Sequence, residues 1–211
     1  MSRKRLTRED SRDQTTQRLL DAAQKLIAKK GLSAASVEDI AEAAGYTRGA
    51  FYSNFSSKGD LFIELLRRDH EKTHAEFDAL RSDDLPLDHI QTRAREIYGG
   101  LYRDNESFMN WTEARMLAAR DTKFRAKLNA LMAEKRAEIA QFITYFYRRV
   151  GIEAPISTEA MAMGFISLVE GVKLSMLSSP GDITADTAES VLTLFVDSLM
   201  QLTRLRAAKQ A

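Results

Sequence analysis

Only 3 prolines and 10 glycines interrupt 211 residues, and the stretches between them repeat apolar residues at spacings of three and four. That is the period of an amphipathic helix, so the chain is expected to be all-α. Nine helices follow from the pattern. The first runs from Ser11 to Lys30, with Gly31 placed to take the left-handed conformation that ends it. Short helices follow at Val37–Ala44 and Arg48–Phe55, and a long one at Lys58–Arg81. The break Asp83-Asp84-Leu85-Pro86 precedes a fifth helix carried by Ile90, Ala94, Ile97 and Leu101. A sixth spans Asn105 to Arg120 and a seventh Asp121 to Gly151. Two more, Thr158–Ser178 and Ala185–Arg206, flank Ser179-Pro180-Gly181.

Composition narrows the function classes. A hydrophobic content of 44% supports a real core. No uninterrupted apolar run approaches the roughly 18 residues that suggest a membrane span, and the basic start Met1-Ser2-Arg3-Lys4-Arg5 has no apolar segment behind it. A cytoplasmic protein with no membrane partner is expected. The absence of cysteine excludes disulfides and thiolate metal sites. Residues 1–58 carry 11 Lys/Arg and 7 Asp/Glu, the remainder 20 and 23, which suits a chain that meets phosphate at one end.

Val37 to Phe55 has the spacing of a helix-turn-helix: two short helices joined through Gly45-Tyr46-Thr47. Ser36 is the expected N-cap of the first, with Asp39 at the capping-box position. Ala41 and Ala44 allow the helices to approach, and Ala50 and Phe51 anchor the second inward. Thr47, Arg48, Gly49, Tyr52, Ser53 and Asn54 are left facing out. A purely structural helix hairpin has the same spacing.

The run Ser36-Val37-Glu38-Asp39-Ile40-Ala41-Glu42-Ala43-Ala44-Gly45-Tyr46-Thr47-Arg48-Gly49-Ala50-Phe51-Tyr52-Ser53-Asn54-Phe55-Ser56-Ser57-Lys58-Gly59-Asp60-Leu61-Phe62 closely resembles the DNA-binding signature of the tetracycline-repressor (TetR) family, over roughly residues 15–65. The resemblance implies a homodimeric repressor of palindromic operator DNA, with three DNA-binding helices and a divergent effector domain of about six. On that division residues 1–57 bind DNA, with 1–10 a disordered basic tail, and 58–211 bind effector and dimerise. Arg48, in the exposed first turn of the recognition helix, is placed to take a guanine edge bidentately. Thr47 caps that helix and offers its hydroxyl or methyl to a base, Gly49 lets the helix backbone approach the duplex, and Ser36 is a further DNA-binding candidate. Tyr52 and Lys58 match positions at which the family contacts phosphate. Where many relatives carry His-Phe, this chain has Asn54-Phe55, which leaves the contact of Asn54 open. Tyr52 as simple packing and Lys58 as a solvated lysine are the plain alternatives. Arg3, Lys4, Arg5 and Arg8 are expected to form a frayed, solvated tail, with a minor-groove arm as the less favoured alternative.

The C-terminal helices suggest a pocket and an interface. The eighth pairs a small-residue stripe, Ala160, Gly164, Ser167, Gly171 and Ser175, with a bulky one, Met161, Phe165, Leu168, Val172 and Met176. The ninth offers Ala188, Val191, Leu192, Phe195, Leu199 and Leu202. The resemblance implies that the pair meets its twofold mate, giving Gly164, Ser167, Gly171, Ser175, Val191, Phe195 and Leu199 as dimerisation candidates. Aromatic residues and methionines on helices four to eight suit an adaptable apolar pocket for a small apolar or aromatic effector. Its candidates are His70, His74, Phe77, Tyr102, Phe108, Trp111, Arg115, Phe142, Phe146, Phe165 and Glu170. Asn110 and Glu113 are further polar possibilities, and ion pairs between helices account for such residues equally well. His70 and His74, one turn apart, show no third ligand, so inward packing is favoured over a metal site.

No cofactor and no catalytic residues are expected. Carboxylate-bridged metal oxidases need Glu-x-x-His pairs on two helices, and the chain has that spacing once, at Glu71 and His74. The G-x-S-x-G elbow, the P-loop and the G-x-G-x-x-G turn are missing. A DNA-binding activator or an effector-independent regulator is the alternative to a ligand-responsive repressor.

Overall fold

The computed structural model describes residues 7–81 and 85–210, with side chains placed at all of these except 91, 95, 98–103, 199, 200 and 202–210. The described residues form nine α-helices and no strand: α1 (Arg8–Ala34), α2 (Val37–Ala43), α3 (Arg48–Asn54), α4 (Lys58–Asp78), α5 (Leu87–Arg103), α6 (Asn105–Arg120), α7 (Thr122–Val150), α8 (Thr158–Ser178) and α9 (Ala185–Gln210).

The ends differ from expectation where local chemistry intervenes. Helix α1 starts at Arg8, because Thr7 and Asp10 close a reciprocal capping box: the Asp10 N–H donates to Thr7 Oγ1 at 3.1 Å, and the Thr7 N–H to Asp10 Oδ2 at 2.9 Å. Residues 8–10 are therefore helical and not tail. Residues 1–6 lie outside the described residues, and with them Arg3, Lys4 and Arg5. Gly31 has the expected positive φ of 78°, but its ψ of 159° lies outside the left-handed helical region, and one further helical turn follows before Ala35. Helix α4 stops at Asp78, short of Arg81. The chain tightens there into i→i+3 bonds, Leu80 N–H to Phe77 O and Arg81 N–H to Asp78 O, both 3.0 Å.

Two compact units divide the chain, each described by itself. The first comprises residues Met1–His70 and Asn105–Ala130; the second comprises Glu71–Asp104 and Leu131–Ala211, so α4 and α7 each contribute to both. In the first, Leu19, Leu20, Ile27, Ile40, Phe51 and Phe62 are among the fully buried side chains. The Phe62 ring stacks on Phe124, with centroids 5.7 Å apart.

The second unit holds two apolar clusters. One joins Phe77, Leu80, Ile90, Ala94, Ile97, Phe142 and Tyr145, with Phe146 packed against it. The other joins Phe165 of α8 to Ala188 and Leu192 of α9, with Val172, Met176 and Phe195 around them. Ser157 caps α8, accepting from the Ala160 N–H at 3.2 Å. This helix is long and apolar enough to cross a membrane by composition, with a mean hydropathy of 1.5 over its best window. Its apolar residues include members of the α8–α9 cluster, the buried Met161, Ala162 and Ile166 outside that cluster, and the exposed Met163 and Leu174.

Candidate nucleic-acid interface

The interface is assembled from its caps inward. Ser36 Oγ accepts the Asp39 N–H at 3.0 Å and Asp39 Oδ2 accepts the Ser36 N–H at 3.0 Å, fixing the start of α2. Lys30 Nζ reaches the same carboxylate at 2.7 Å. That bond and the Ser36 N–H bring the Asp39 pKa from 3.8 down to about 2. After α2 the Gly45 φ of 77° makes the turn, and the Tyr46 N–H closes it on Ala41 O at 2.8 Å. Thr47 then caps α3, accepting the Ala50 N–H at 3.3 Å.

Orientation of α3 follows from Phe51. Its ring is wholly buried and lies 5.7 Å from Phe55 and 5.3 Å, edge-on, from Tyr52. With Phe51 facing inward, Arg48, Gly49, Tyr52 and Ser53 stand on the exposed face of a seven-residue helix. Tyr52 remains 48% exposed, although aromatic rings are normally buried in a core. The Arg48 guanidinium lies 5.5 Å from the Tyr52 ring centroid and pairs with Glu38 of α2. A Cβ added to Gly49 would meet only Thr47 Oγ1, at 3.7 Å, so the open side of this glycine faces solvent.

Two residues expected on that face are engaged elsewhere. Asn54 donates through Nδ2 to Ala50 O at 2.7 Å, and its Oδ1 accepts from Thr16 Oγ1 at 3.0 Å, tying α3 to α1. Lys58, expected to face a phosphate, donates instead to Leu32 O and Ala35 O, the latter at 2.8 Å. Burial moves its ammonium pKa below the ordinary range. The Leu32 N–H is held from α6, by Glu113 Oε1 at 3.0 Å. The end of α1 is thus closed by a cation on its carbonyls and a carboxylate on its amide. The sequence offered Glu113 as a pocket residue or a partner in an ion pair between helices, and spacing along the chain does not disclose a contact with a residue 81 positions away.

The effector candidates are distributed over both units. Phe77, Phe142 and Phe146 share a cluster, with the Phe77 and Phe142 centroids 5.2 Å apart, whereas Phe165 belongs to the separate α8–α9 cluster. Phe108, Trp111, Arg115 and His70 belong to the first unit. Trp111 Nε1 donates to Asp69 Oδ2 at 2.6 Å, His70 is buried and Arg115 exposed. His74 lies 3.3 Å from Glu138, and Glu170 is half-buried. The side chain of Tyr102 lies outside the described residues. No group of three or more His, Asp or Glu that could hold a metal occurs among the described residues. Sequence reasoning missed Lys173, which is 2% exposed on α8. A lone lysine in the most apolar helix was its only signal.

Along α8 and α9, Gly164 packs near Phe195, at 3.7 Å from a Cβ built upon it, while Ser167, Gly171 and Val191 are exposed. Ser175 donates its hydroxyl to Gly171 O at 2.9 Å. The side chain of Leu199 lies outside the described residues.

Capped short helices, a glycine turn and an outward Arg-Gly-Tyr face define a helix-turn-helix protein. Residues 19–65 match the family model described as bacterial regulatory proteins, tetR family. The regulator AcrR of Shigella flexneri is 45% identical over 61 residues, 29% of this chain and 28% of that relative. The match therefore spans little more than a quarter of AcrR's length. The regulator YwcC of Bacillus subtilis is 29% identical over 175 residues, covering 76% of this chain and 75% of that one. A crystal structure of a regulator from Rhodococcus sp., assigned to the TetR family, superposes with a TM-score of 0.75 at 25% identity, covering 89% of this chain and 99% of its own. Over residues 19–65 the chain is thus similar to the tetR family of bacterial regulatory proteins, and its fold is similar to that of a regulator assigned to that family.

Proposed function

We propose that this chain is a cytoplasmic repressor that binds a palindromic operator as a homodimer through residues 1–57 and leaves it when a small apolar or aromatic molecule binds within residues 58–211. The observation that carries the DNA-binding part is the α3 face, on which Arg48, Gly49 and Tyr52 stand exposed above a buried Phe51. Recognition helices enter the major groove by their N-terminal residues, and a guanidinium there can take guanine O6 and N7 together. Tyr52 supplies a hydroxyl at the backbone. Lys58 acts by holding the end of α1 against α4, so its phosphate contact needs the ammonium to leave Leu32 and Ala35.

Dimerisation is assigned to α8 and α9. Met163, Leu174, Val191 and Leu194 are exposed apolar side chains on these two helices, and an apolar face of that kind is covered in an assembly. A twofold axis matches two α3 helices to the two halves of a palindrome. The aromatic cluster around Phe77 and Phe142 supplies the apolar surroundings that suit the effector.

The deciding experiment selects an operator from randomised duplexes and titrates it against Arg48→Ala. Operator affinity should fall about 5- to 150-fold, equivalent to about 1–3 kcal/mol, with binding to random duplex little changed. Equal losses on both duplexes remove Arg48 from base recognition. Failure of the unaltered protein to enrich any duplex removes the DNA-binding reading itself.

A further inference from the structure

Arg48 does not stand alone on the interface. Its Nη1 lies 2.8 Å from Glu38 Oε1, and its guanidinium carbon sits 5.5 Å from the Tyr52 ring centroid. The carboxylate comes from α2, the ring from α3, and all three side chains are exposed. A duplex approaching this face therefore meets an arginine already oriented and an anion beside it.

We propose that Glu38 is a specificity-determining residue of the DNA contact, a positioning residue that acts through Arg48 and selects against duplexes that give nothing in return. This rests on the DNA-binding reading above. Two effects of one carboxylate combine. An arginine side chain loses considerable rotamer freedom when it makes a planar two-point contact, and bracing it beforehand from a second helix lowers that cost. The ion pair engages Nη1, which leaves Nε and Nη2 donors for a base edge. The same carboxylate also repels phosphate and partly neutralises Arg48 toward it. Binding to random DNA is almost entirely electrostatic, so this penalty falls on random duplex undiminished. On the operator, base contacts made by the braced guanidinium offset it. Discrimination then comes from a repulsive element as well as an attractive one.

A surface pair of this kind contributes little to folding, so its expected signature is in the ratio of affinities. Glu38→Gln removes the charge, and Glu38→Asp retains the charge on an arm one methylene shorter. Operator and random duplex are titrated at several salt concentrations with both variants, after thermal unfolding has shown each to be folded. Glu38→Gln should tighten random duplex and lower the operator-to-random ratio by about three- to fivefold. Glu38→Asp should leave random duplex unchanged and weaken the operator. In an Arg48→Ala background, Glu38→Gln should still tighten random duplex but no longer cost operator preference, which separates positioning from bulk charge. A ratio within twofold of the unaltered protein for Glu38→Gln, or the same loss of ratio with Arg48 absent, overturns the proposal while leaving operator binding itself intact. If the unaltered protein enriches no duplex, it is the DNA-binding reading that fails.

Discussion

In the first compact unit, helix ends and crossings are closed by directional polar contacts. Thr7, Ser36 and Thr47 cap three helices in succession. Lys58 and Glu113 close the end of α1, Asp69 takes both Trp111 Nε1 and the Ser107 hydroxyl, and Arg68 reaches Gln17, Asp21 and Gln24. In the second unit, the architecture rests on two aromatic and aliphatic clusters. Hydrogen bonds with fixed partners accept one geometry, whereas apolar contacts tolerate repacking at similar volume. The first unit is wired to hold α3 at one angle, and the second is built to adapt.

The largest test of that contrast is in the cores. Phe51→Ala should lower stability by about 3–5 kcal/mol, because the ring is wholly buried and sets the face of α3. Replacing each ring with methionine gives the direct comparison. Phe142→Met should cost under about 1.5 kcal/mol, and Phe51→Met more than that. Denaturant unfolding followed by circular dichroism measures both. Equal costs would erase the distinction between the units.

Lys173 sharpens the comparison from the other side, as a charge inside the adaptable unit. Burial pushes its ammonium pKa below the ordinary 10.5, and the negative charge of Asp104 opposes that only in part. Lys173→Met removes that burial cost and should therefore stabilise the protein. The pH dependence has a definite sign. Between its lowered folded pKa and 10.5 the unfolded chain binds more protons, so the unaltered protein should gain stability as pH rises through that window. The methionine variant should lack that gain. A destabilised Lys173→Met with unchanged alkaline behaviour would mean that the ammonium is well satisfied where it lies.

What the sequence disclosed follows the same division. Helix count, the capping box at Ser36, the N-cap at Thr47 and the burial of Phe51 are local consequences of spacing, and each is found among the described residues. The sequence does not disclose the partners that hold Asn54 and Lys58, Thr16 and the carbonyls of Leu32 and Ala35, because they are distant along the chain. Glu38 escaped notice for a related reason: an exposed acid on α2 acquires meaning only when the turn at Gly45 swings Arg48 beside it. Aromatic residues at helical spacing mark a core wherever it lies, so Phe77 and Phe142 fall in one cluster and Phe165 in another. Periodicity does not say which core.

The smallest expected effect on the protomer is at Gly171, and it tests the assembly. A small residue in the middle of α8 looks like a site of close packing, yet a Cβ added there meets nothing within 4 Å among the described residues of the protomer, and the residue is exposed. Leucine is favoured over glycine inside a helix by about 0.5–1 kcal/mol, so Gly171→Leu should leave the isolated protomer slightly more stable. Across a twofold axis the same side chain would block close approach of two α8 helices. The two consequences separate by concentration, because a dimer's unfolding temperature rises with protein concentration and a monomer's does not. Light scattering on dilution and thermal unfolding over a hundredfold range of concentration are the measurements. The unaltered protein should show the concentration dependence, and Gly171→Leu should lose it while keeping its helical signal. If the variant dimerises as tightly as the unaltered chain, the exposed Met163–Leu174 face of α8 is not where two copies meet. If the variant unfolds earlier at every concentration, Gly171 is held against something within its own protomer.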